Sequence, residues 1–451
     1  MAWLWCLWSL SLAAEPRTDE AWLSRHDATA GRGSPRPTCP PREEKAKPRP
    51  EPSARDWPLW EIDLAAGTGP AEVLAVARAP ARVVELPLGG KADDVARVKS
   101  ALSRPGARVG IWGDSHSARG PFVNALRAVV QGALGTGGLG FVPAVRPGQY
   151  VDSPGVTACG VGDWSRRAPV GKAAELTQGL GPRLDLVEAR DPNAYGWVFA
   201  SEPVSRMVLL FERHAAGGAL SVSVDDVPPV AVTTAGEGPG AVAFDVTEGK
   251  HLLRYAPRGD GAVRLSGVLL ERAGTGAVVD NLAVSGAVFA SWQRAAPASI
   301  GAWAQWLRHD LAVLEYGTNE VGAYRFDRAA YRVELAASLA AFRAALPGTP
   351  CVVVGPPDRA WAREGERFAI FQGTGWVIEE QAALGPEYGC ATWSFQAAMG
   401  GAGSAVAWRR ATPAWLGADY MHLEKAGSAV VAGALARALG LPTDGSSAGA
   451  R

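Results

Sequence analysis

Polar side chains that could act together stand at three places in the chain, two of them directly after apolar, strand-like segments. Ser115 stands in a turn after the run "RVGIWG", and Asn319 follows the run "LAVLEYG". Asp419 and His422 stand in "DYMH", just before the last helical segment. A hydroxyl, an imidazole and a carboxylate are the groups of nucleophilic acyl transfer, in which the imidazole takes the hydroxyl proton and the carboxylate orients the imidazole.

The positions of these residues after strands predict that they meet. Catalytic groups in parallel α/β sheets lie at the carboxyl ends of the strands. A serine at a strand-to-helix corner projects its hydroxyl into the crevice, where backbone N–H groups can donate to an oxyanion. Asp419 and His422, three residues apart, can share one side of a turn. A softer candidate is the segment "VVDNLAVSGAVF", which contains Asn281 and Gly286.

Alternating strand and helix patterns surround these candidates. "ARVGIW" is typical of a buried parallel strand, and helices and strands alternate again after Gly274. Between them, short alternating segments separated by Gly, Pro and Asp turns favour an antiparallel β-sandwich. We therefore predict one α/β domain formed by residues 57–150 and 274–440, with a β-sandwich domain, residues 151–273, inserted into it.

The two ends of the chain differ in composition from the middle. Residues 1–14 are apolar and end in small residues, as an export signal does, although the usual early Lys or Arg is missing. Residues 15–56 are rich in Pro and charge and predict a disordered spacer. Residues 441–451 predict a disordered tail. The export-like start leads us to expect a secreted, periplasmic or cell-envelope protein. No later apolar run is long enough to span a bilayer.

Composition restricts the partners. The 451 residues carry equal numbers of acidic and basic side chains, which argues against a nucleic-acid-binding protein. Beyond the signal segment stand Cys39, Cys159, Cys351 and Cys390, in no spacing typical of zinc. An even number of cysteines permits disulfides in an exported protein. Cys351 begins an apolar run and is predicted to be a buried free thiol.

Taken together, the segments resemble the SGNH (GDSL-type) hydrolases. The blocks appear in the family's order: "GDS" ending at Ser115, "DNLAVSGA" with Gly286, "GTNE" with Asn319, and D-x-x-H formed by Asp419 and His422. The resemblance implies an SGNH-hydrolase-like three-layer sandwich with a parallel sheet. It implies that Ser115 is the nucleophile, His422 the base and Asp419 its orienter. The implied oxyanion donors are the N–H groups of Ser115 and Gly286 and the side-chain amide of Asn319.

The residue after the nucleophile narrows the resemblance. Many family members have leucine there, whereas this chain has His116. "GDSH" occurs in a subgroup that resembles bacterial peptidoglycan O-acetylesterases, which also carry a carbohydrate-binding-like β-sandwich. The resemblance therefore implies a serine esterase that removes O-acetyl or other small acyl groups from a cell-envelope or extracellular polysaccharide, with peptidoglycan a candidate. An acylated polysaccharide is the expected partner, peripheral association with the envelope is compatible, and no metal or other cofactor is expected.

Other interpretations stay open at this point. Asp114 and His116 look like the first ligand pair of a dinuclear metallophosphoesterase, but "GTNE" lacks the histidine which that class requires. An acyltransferase acting on a glycan, or a lipase or thioesterase, would use the same residues. A non-catalytic carbohydrate-binding protein would use the β insert, where Trp164 and Trp197 are candidates for sugar stacking, although core packing is their expected role.

Overall fold

The computed structural model describes residues 23–28, 58–145, 150–168, 170, 179–295, 297–322 and 326–442. The predicted signal segment and almost all of the predicted tail lie outside the described residues. Most of the predicted spacer lies outside them as well.

The described residues contain both strands and helices, numbered here in chain order. The strands are β1 (Leu23–Ala28), β2 (Leu59–Asp63), β3 (Arg108–Gly113), β4 (Gly138–Pro143), β5 (Tyr150–Ser153), β6 (Val156–Val161), β7 (Ser165–Arg167), β8 (Leu186–Ala189), β9 (Tyr195–Arg213), β10 (Ala219–Val224), β11 (Val230–Thr233), β12 (Gly238–Pro257), β13 (Val263–Glu271), β14 (Val278–Asn281), β15 (Leu311–Glu315), β16 (Cys351–Gly355), β17 (Ala360–Ala362), β18 (Arg367–Phe371) and β19 (Cys390–Ser394). The helices are α1 (Ala71–Arg78), α2 (Ala92–Ala101), α3 (Ser115–Ala118), α4 (Pro121–Leu134), α5 (Ser291–Arg294), α6 (Pro297–Leu307), α7 (Thr318–Val321), α8 (Arg328–Ala345), α9 (Gly373–Leu384), α10 (Phe395–Met399), α11 (Ser404–Arg410) and α12 (Lys425–Ala438), and a 3₁₀ turn spans Gly385–Tyr388.

A parallel sheet in the order β14-β3-β15-β16-β19 forms the centre of the α/β domain. Strands β3, β15 and β16 are buried along their whole length, as expected for parallel strands covered on both faces. Ile111 packs into one apolar cluster with residues of α4 and α12. Its neighbour Trp112 packs into a second cluster with residues of α8 and α9. The predicted α/β domain with a parallel sheet is confirmed, whereas its description as a three-layer sandwich stays a prediction.

A larger sheet, antiparallel except at β1, forms the β domain. Its main path is β11-β10-β12-β9-β13-β8-β7, and the long strands β9 and β12 pair along most of their length. A third apolar cluster fills this domain. The predicted antiparallel β domain is therefore present. Strands β17, β18 and β2 form a separate small antiparallel sheet.

Two strands from outside residues 151–273, the predicted β domain, pair with strands inside it. Strand β4 pairs with β13, and β1, which falls in the predicted spacer, pairs with β12. An open strand edge accepts hydrogen bonds from any segment that runs beside it. The glycine-rich sequence of β4, "GLGFVP", shows no alternation that would have predicted its pairing.

The two domains share an apolar core and a buried polar cluster. Phe141 and Leu210 of the β domain belong to the same cluster as Trp112. Beneath it, Asp280 accepts hydrogen bonds from Arg108 Nε at 2.6 Å, from His309 Nε2 at 2.9 Å and from the backbone N–H of Phe141 at 2.8 Å. We call this group the Arg108–Asp280–His309 cluster. It connects strands β3 and β14 to strand β4 of the other domain.

A disulfide joins Cys351 of β16 to Cys390 of β19, where the two residues are direct partners in the parallel register. The prediction of a free thiol at Cys351 was wrong, because the sequence does not show which residue lies opposite it on the neighbouring strand. None of the described helices combines the length and the apolarity needed to cross a membrane.

Candidate active site

Ser115 begins α3 at the point where β3 ends. A side chain at Gly113 would lie 2.6 Å from the carbonyl oxygen of Glu315, so glycine allows β3 to approach β15 at this point. Asp114 caps α3, because its Oδ1 accepts a hydrogen bond from the backbone N–H of His116 at 2.9 Å. The backbone N–H of Asp114 donates to the carbonyl of Glu315 at 3.1 Å. These contacts hold Ser115 at the carboxyl edge of the parallel sheet.

The hydroxyl of Ser115 faces an imidazole and a carboxylate in line. Ser115 Oγ lies 2.8 Å from His422 Nε2, and His422 Nδ1 lies 2.6 Å from Asp419 Oδ2. When Nδ1–H donates to the carboxylate, Nε2 is left to accept the serine proton. Burial raises the pKa of Asp419, but the hydrogen bonds from His422 and its charge lower that pKa more, so it falls below its ordinary value.

The turn that carries the imidazole is fixed by its own aspartate. Asp419 Oδ1 accepts hydrogen bonds from the backbone N–H groups of Met421 at 3.2 Å and His422 at 3.0 Å. The N–H of Gly417 donates to the carbonyl of His422 at 2.8 Å and closes the loop. The side chains of Asp419 and His422 are 34% and 12% exposed, so a substrate can reach the site from solvent.

Asn319 and Gly286 flank the same corner. The side-chain amide of Asn319, on α7, donates to the carbonyl of Ala287 at 2.8 Å. The N–H of Val284 donates to the carbonyl of Gly113 at 2.9 Å. This hydrogen bond attaches the loop after β14, which carries Gly286, to the end of β3. Gly286 is exposed on this loop with φ of +84°, a conformation that favours glycine. The structure thus places the Gly286 loop beside Asn319 and beside the end of β3.

Three buried carboxyl groups lie beneath this corner, and sequence reasoning missed the roles of two of them, Glu315 and Glu320. Glu315 Oε2 accepts a hydrogen bond from Ser117 Oγ at 2.9 Å, and Glu320 Oε1 accepts one from the N–H of Phe289 at 2.9 Å. Burial raises the pKa of Asp114 to about 6 and that of Glu320 to about 8. Burial and the charge of Asp114 raise the pKa of Glu315 well above its ordinary value. A carboxylate that ends the apolar strand "LAVLE" was the available signal.

His116 packs against the imidazole of His422. The ring centroids of His116 and His422 are 5.1 Å apart and their planes are tilted by 36°. His116 is buried, and neither of its ring nitrogens has a hydrogen-bond partner in the described part of the chain. Burial, followed by the charge of His422, lowers the pKa of His116 well below its ordinary value. A neutral ring at this position can restrict the rotation of the His422 ring.

Two of the alternative interpretations of the sequence lack supporting geometry. Among the described residues, no group of three or more His, Cys, Asp or Glu side chains is arranged to hold a metal ion. Trp164 and Trp197, the candidates for sugar stacking, are 5% and 1% exposed and lie inside the β domain. Neither ring offers a free face to a sugar, so core packing is their role.

A hydroxyl, an imidazole and a carboxylate in line at the edge of a parallel α/β sheet are typical of a hydrolase. Residues 234–430 match the model of the GDSL-like lipase/acylhydrolase family. These residues are similar to that family, and the predicted resemblance is confirmed. The matched segment includes Gly286, Asn319, Asp419 and His422, whereas Ser115 precedes it in sequence and joins it in the fold.

One of the similar solved structures shares the fold. A structure of a peptidoglycan O-acetylesterase is 22% identical to the chain, covers 78% of this chain and 97% of its own, and has a TM-score of 0.62. A family two carbohydrate esterase from Cellvibrio japonicus (12% identity, 51% of this chain, 88% of its own) has a TM-score of 0.20. A carbohydrate esterase family 2 enzyme from Corynascus thermopiles (13%, 62% and 100%) has a TM-score of 0.26. No curated protein sequence matches the chain.

Proposed function

We propose that the protein is an exported serine esterase that removes O-acetyl groups from a cell-envelope polysaccharide, with peptidoglycan the first candidate. The observation that supports this proposal most directly is the line of contacts from Ser115 Oγ through His422 to Asp419, at 2.8 and 2.6 Å. Such a line activates a serine toward an ester carbonyl. Its position in an acylhydrolase domain supports the same chemistry.

The reaction would begin with acylation. Ser115 Oγ attacks the acetyl carbonyl carbon while His422 Nε2 accepts the hydroxyl proton. The carbonyl oxygen gains the electron pair and becomes an oxyanion, and the N–H groups of Ser115 and Gly286 and the amide of Asn319 stabilise it. When the carbonyl re-forms, the bond to the sugar oxygen breaks. That oxygen takes the proton from His422 and leaves as a hydroxyl group.

Water would complete the cycle. His422 Nε2 takes a proton from a water molecule, whose oxygen attacks the acetyl carbonyl of acyl-Ser115. Collapse of the second oxyanion returns the proton to Ser115 Oγ and releases acetate. Asp419 holds Nδ1 of His422 throughout and stabilises the imidazolium that forms in each half of the cycle.

The nature of the substrate rests on the fold. The structure of the peptidoglycan O-acetylesterase matches the chain over nearly its own full length, which favours an acetylated glycan over a long-chain lipid ester. The Cys351–Cys390 disulfide and the apolar residues 1–14 support export, because stable disulfides are rare in reducing compartments.

Acetate release from a panel of esters tests this proposal. The panel comprises O-acetylated peptidoglycan, acetylated xylan, and p-nitrophenyl esters of short and long acyl chains, each with the wild type and Ser115→Ala. We expect Ser115-dependent release of acetate from at least one glycan and preference for the acetyl ester. Preference for long chains would indicate a lipase or thioesterase, and acetyl transfer to a glycan hydroxyl would indicate an acyltransferase. Glycan binding without hydrolysis of any ester would contradict catalysis altogether.

A further inference from the structure

A groove lies along α4, between that helix and the β domain. Its open part has a volume of about 700 Å³ and is lined by Arg119, Arg127 and Lys425, among others. A recess of about 60 Å³ extends it past Arg127 to Arg183 and Ala283. Its open part is within the range of volumes that hold small organic ligands. Arg119 of the groove lies 4.0 Å from Asp419, so a ligand in the groove would pass beside the candidate active site.

The groove carries an excess of positive charge. Its lining residues include four cations and one carboxylate: Arg119, Arg127, Arg183, Lys425 and Glu202. We call this set the arginine groove. Three further carboxylates approach it, and each is already engaged. Asp280, whose charge acts on Arg127, is bonded to Arg108 and His309. Asp185 forms an ion pair with Arg183 but also binds Arg166 at 2.8 Å, and Asp419, 4.0 Å from Arg119, is hydrogen-bonded to His422. A cleft lined by an excess of one charge attracts ligands of the other.

Arg183 is the least satisfied of these cations. Its side chain is 14% exposed, and its ion pair with Asp185 is 3.2 Å long and shared with Arg166. Its Nε has no hydrogen-bond partner among the described residues. Burial lowers the pKa of the Arg183 guanidinium. A buried donor without an acceptor costs free energy, and a ligand anion at the recess would recover part of it.

The turn that carries Arg183 is held firmly beside the nucleophile. Trp112, on the strand that leads to Ser115, donates from Nε1 to the carbonyl of Pro182 at 2.9 Å. Leu184 has φ of +62°, which is strained for a residue other than glycine. The N–H of Leu184 donates to the carbonyl of Gly181 at 3.0 Å and fixes the turn. The strained turn at Leu184 places the guanidinium of Arg183 in the recess.

Building on the function proposed above, we propose that the arginine groove binds a carboxylate of the polysaccharide substrate. The structure favours a carboxylate because arginine binds that group through two parallel N–H bonds, and a neutral sugar would leave the groove's charge unpaired. The carboxylate comes either from a sugar acid or from a peptide attached to the glycan. The β domain thus contributes to substrate selection through Arg183, without the tryptophan stacking that the sequence suggested.

Calorimetric titration of the full chain carrying Ser115→Ala tests this proposal without requiring turnover. The probes are a peptidoglycan disaccharide–tetrapeptide, an oligogalacturonate and a neutral xylo-oligosaccharide, none of them acetylated. We expect at least one carboxylated probe to bind about tenfold or more tightly than the neutral one, as for one charge-assisted hydrogen bond, and to lose affinity as salt increases. Tighter binding of one carboxylated probe identifies its source, sugar acid or peptide. Equal binding of all three probes overturns the proposal.

Added in the same background, Arg183→Gln should weaken binding of the carboxylated probe about tenfold or more. The matched control is Arg258→Gln, which removes the same charge from an exposed site of the β domain outside the groove and should leave the affinity unchanged. If Arg183→Gln unfolds, the exposed Lys425→Gln should still weaken carboxylate binding more than neutral binding. Full affinity in a folded Arg183→Gln protein overturns the proposal, whereas an inactive wild type that binds carboxylated probes overturns the esterase function alone.

Discussion

The α/β domain contains two histidine–aspartate pairs that differ in their surroundings. In the candidate site, His422 and Asp419 lie 2.6 Å apart, partly exposed, and His422 faces the hydroxyl of Ser115. In the Arg108–Asp280–His309 cluster, His309 and Asp280 lie 2.9 Å apart, at most 1% exposed, and the third partner is a guanidinium. The same contact therefore serves two purposes. A nearby hydroxyl and access to solvent suit the first pair to chemistry, whereas an arginine and burial suit the second to stability.

The carboxyl groups near the two pairs differ as well. Burial raises the pKa of Asp280, but the charge of Arg108 and the hydrogen bonds from His309 and Arg108 lower it more, so the group is held ionised. Beneath the candidate site, burial dominates and raises the pKa values of Asp114 and Glu320. One region thus stabilises a buried charge with a paired cation, and the other holds buried carboxyl groups whose neutral form is favoured.

The sharpest test of this difference is Ser115→Ala. The change removes the nucleophile, so we expect kcat for p-nitrophenyl acetate to fall about ten-thousandfold or more. The melting temperature should stay nearly the same, because the side chain is small and partly exposed. The exposed Ser103→Ala is the matched control and should keep both values. Substantial activity in the Ser115→Ala protein would show that chemistry occurs elsewhere.

For the buried pair, Asp280 and His309, we expect a substitution to lower stability rather than kcat. Asp280→Asn removes the charge that Arg108 and His309 share, and loss of one partner of a buried ion pair costs about 3–5 kcal/mol of unfolding free energy. Urea unfolding measures this loss. The exposed Asp163→Asn should change the unfolding free energy by less than about 0.5 kcal/mol. If Asp280→Asn lowered kcat in the folded protein while its stability was unchanged, the separation of roles between the two pairs would be wrong.

Asn319→Ala is expected to have a smaller effect on catalysis than loss of the nucleophile. The amide of Asn319 is the side-chain donor of the proposed oxyanion site, and loss of one such donor lowers kcat about a hundredfold. The hydrogen bond to Ala287 is lost as well, so the melting temperature and kcat are measured together. Asn193→Ala, at an exposed turn of the β domain, serves as the control. Full activity of Asn319→Ala would show that Asn319 does not stabilise the oxyanion.

The sequence was sufficient to predict the parallel sheet, with Ser115 at the end of one of its strands. The meeting of Ser115 with His422 and Asp419 followed from the resemblance, because the D-x-x-H turn before α12 matches the family's last block. The sequence could not predict the contributions of Glu320 and Arg183. Glu320 belongs to a short block that would serve equally well as a helix cap, and its burial depends on the loop that packs over it. Arg183 follows no motif, and its position depends on the bond between Trp112 and Pro182, which only the packing of the two domains creates.

The effect that is smallest per unit of pH is a difference between the two regions in how stability depends on pH. The folded-state pKa of Glu320 is about 8, above the ordinary value of a free glutamate, because burial favours its neutral form. Its contribution to stability is therefore complete at acidic pH and is lost as pH rises toward 8, with a slope of up to about 1.4 kcal/mol per pH unit. The pKa of Asp280 is lowered, so the stability that Asp280 contributes to the fold is lost as pH falls.

Glu320→Gln should remove the loss of stability that Glu320 causes as pH rises. The unfolding free energies of the wild type and the variant, measured by urea from pH 5 to pH 9, should diverge as pH rises and become parallel above about 8. The exposed Glu364→Gln should give a constant difference from the wild type, because its carboxyl group meets solvent in the folded and the unfolded chain alike. A constant difference for Glu320→Gln too would mean that the carboxyl groups beneath Ser115 are stabilised as ions, as Asp280 is, and that the two regions do not differ in their electrostatics.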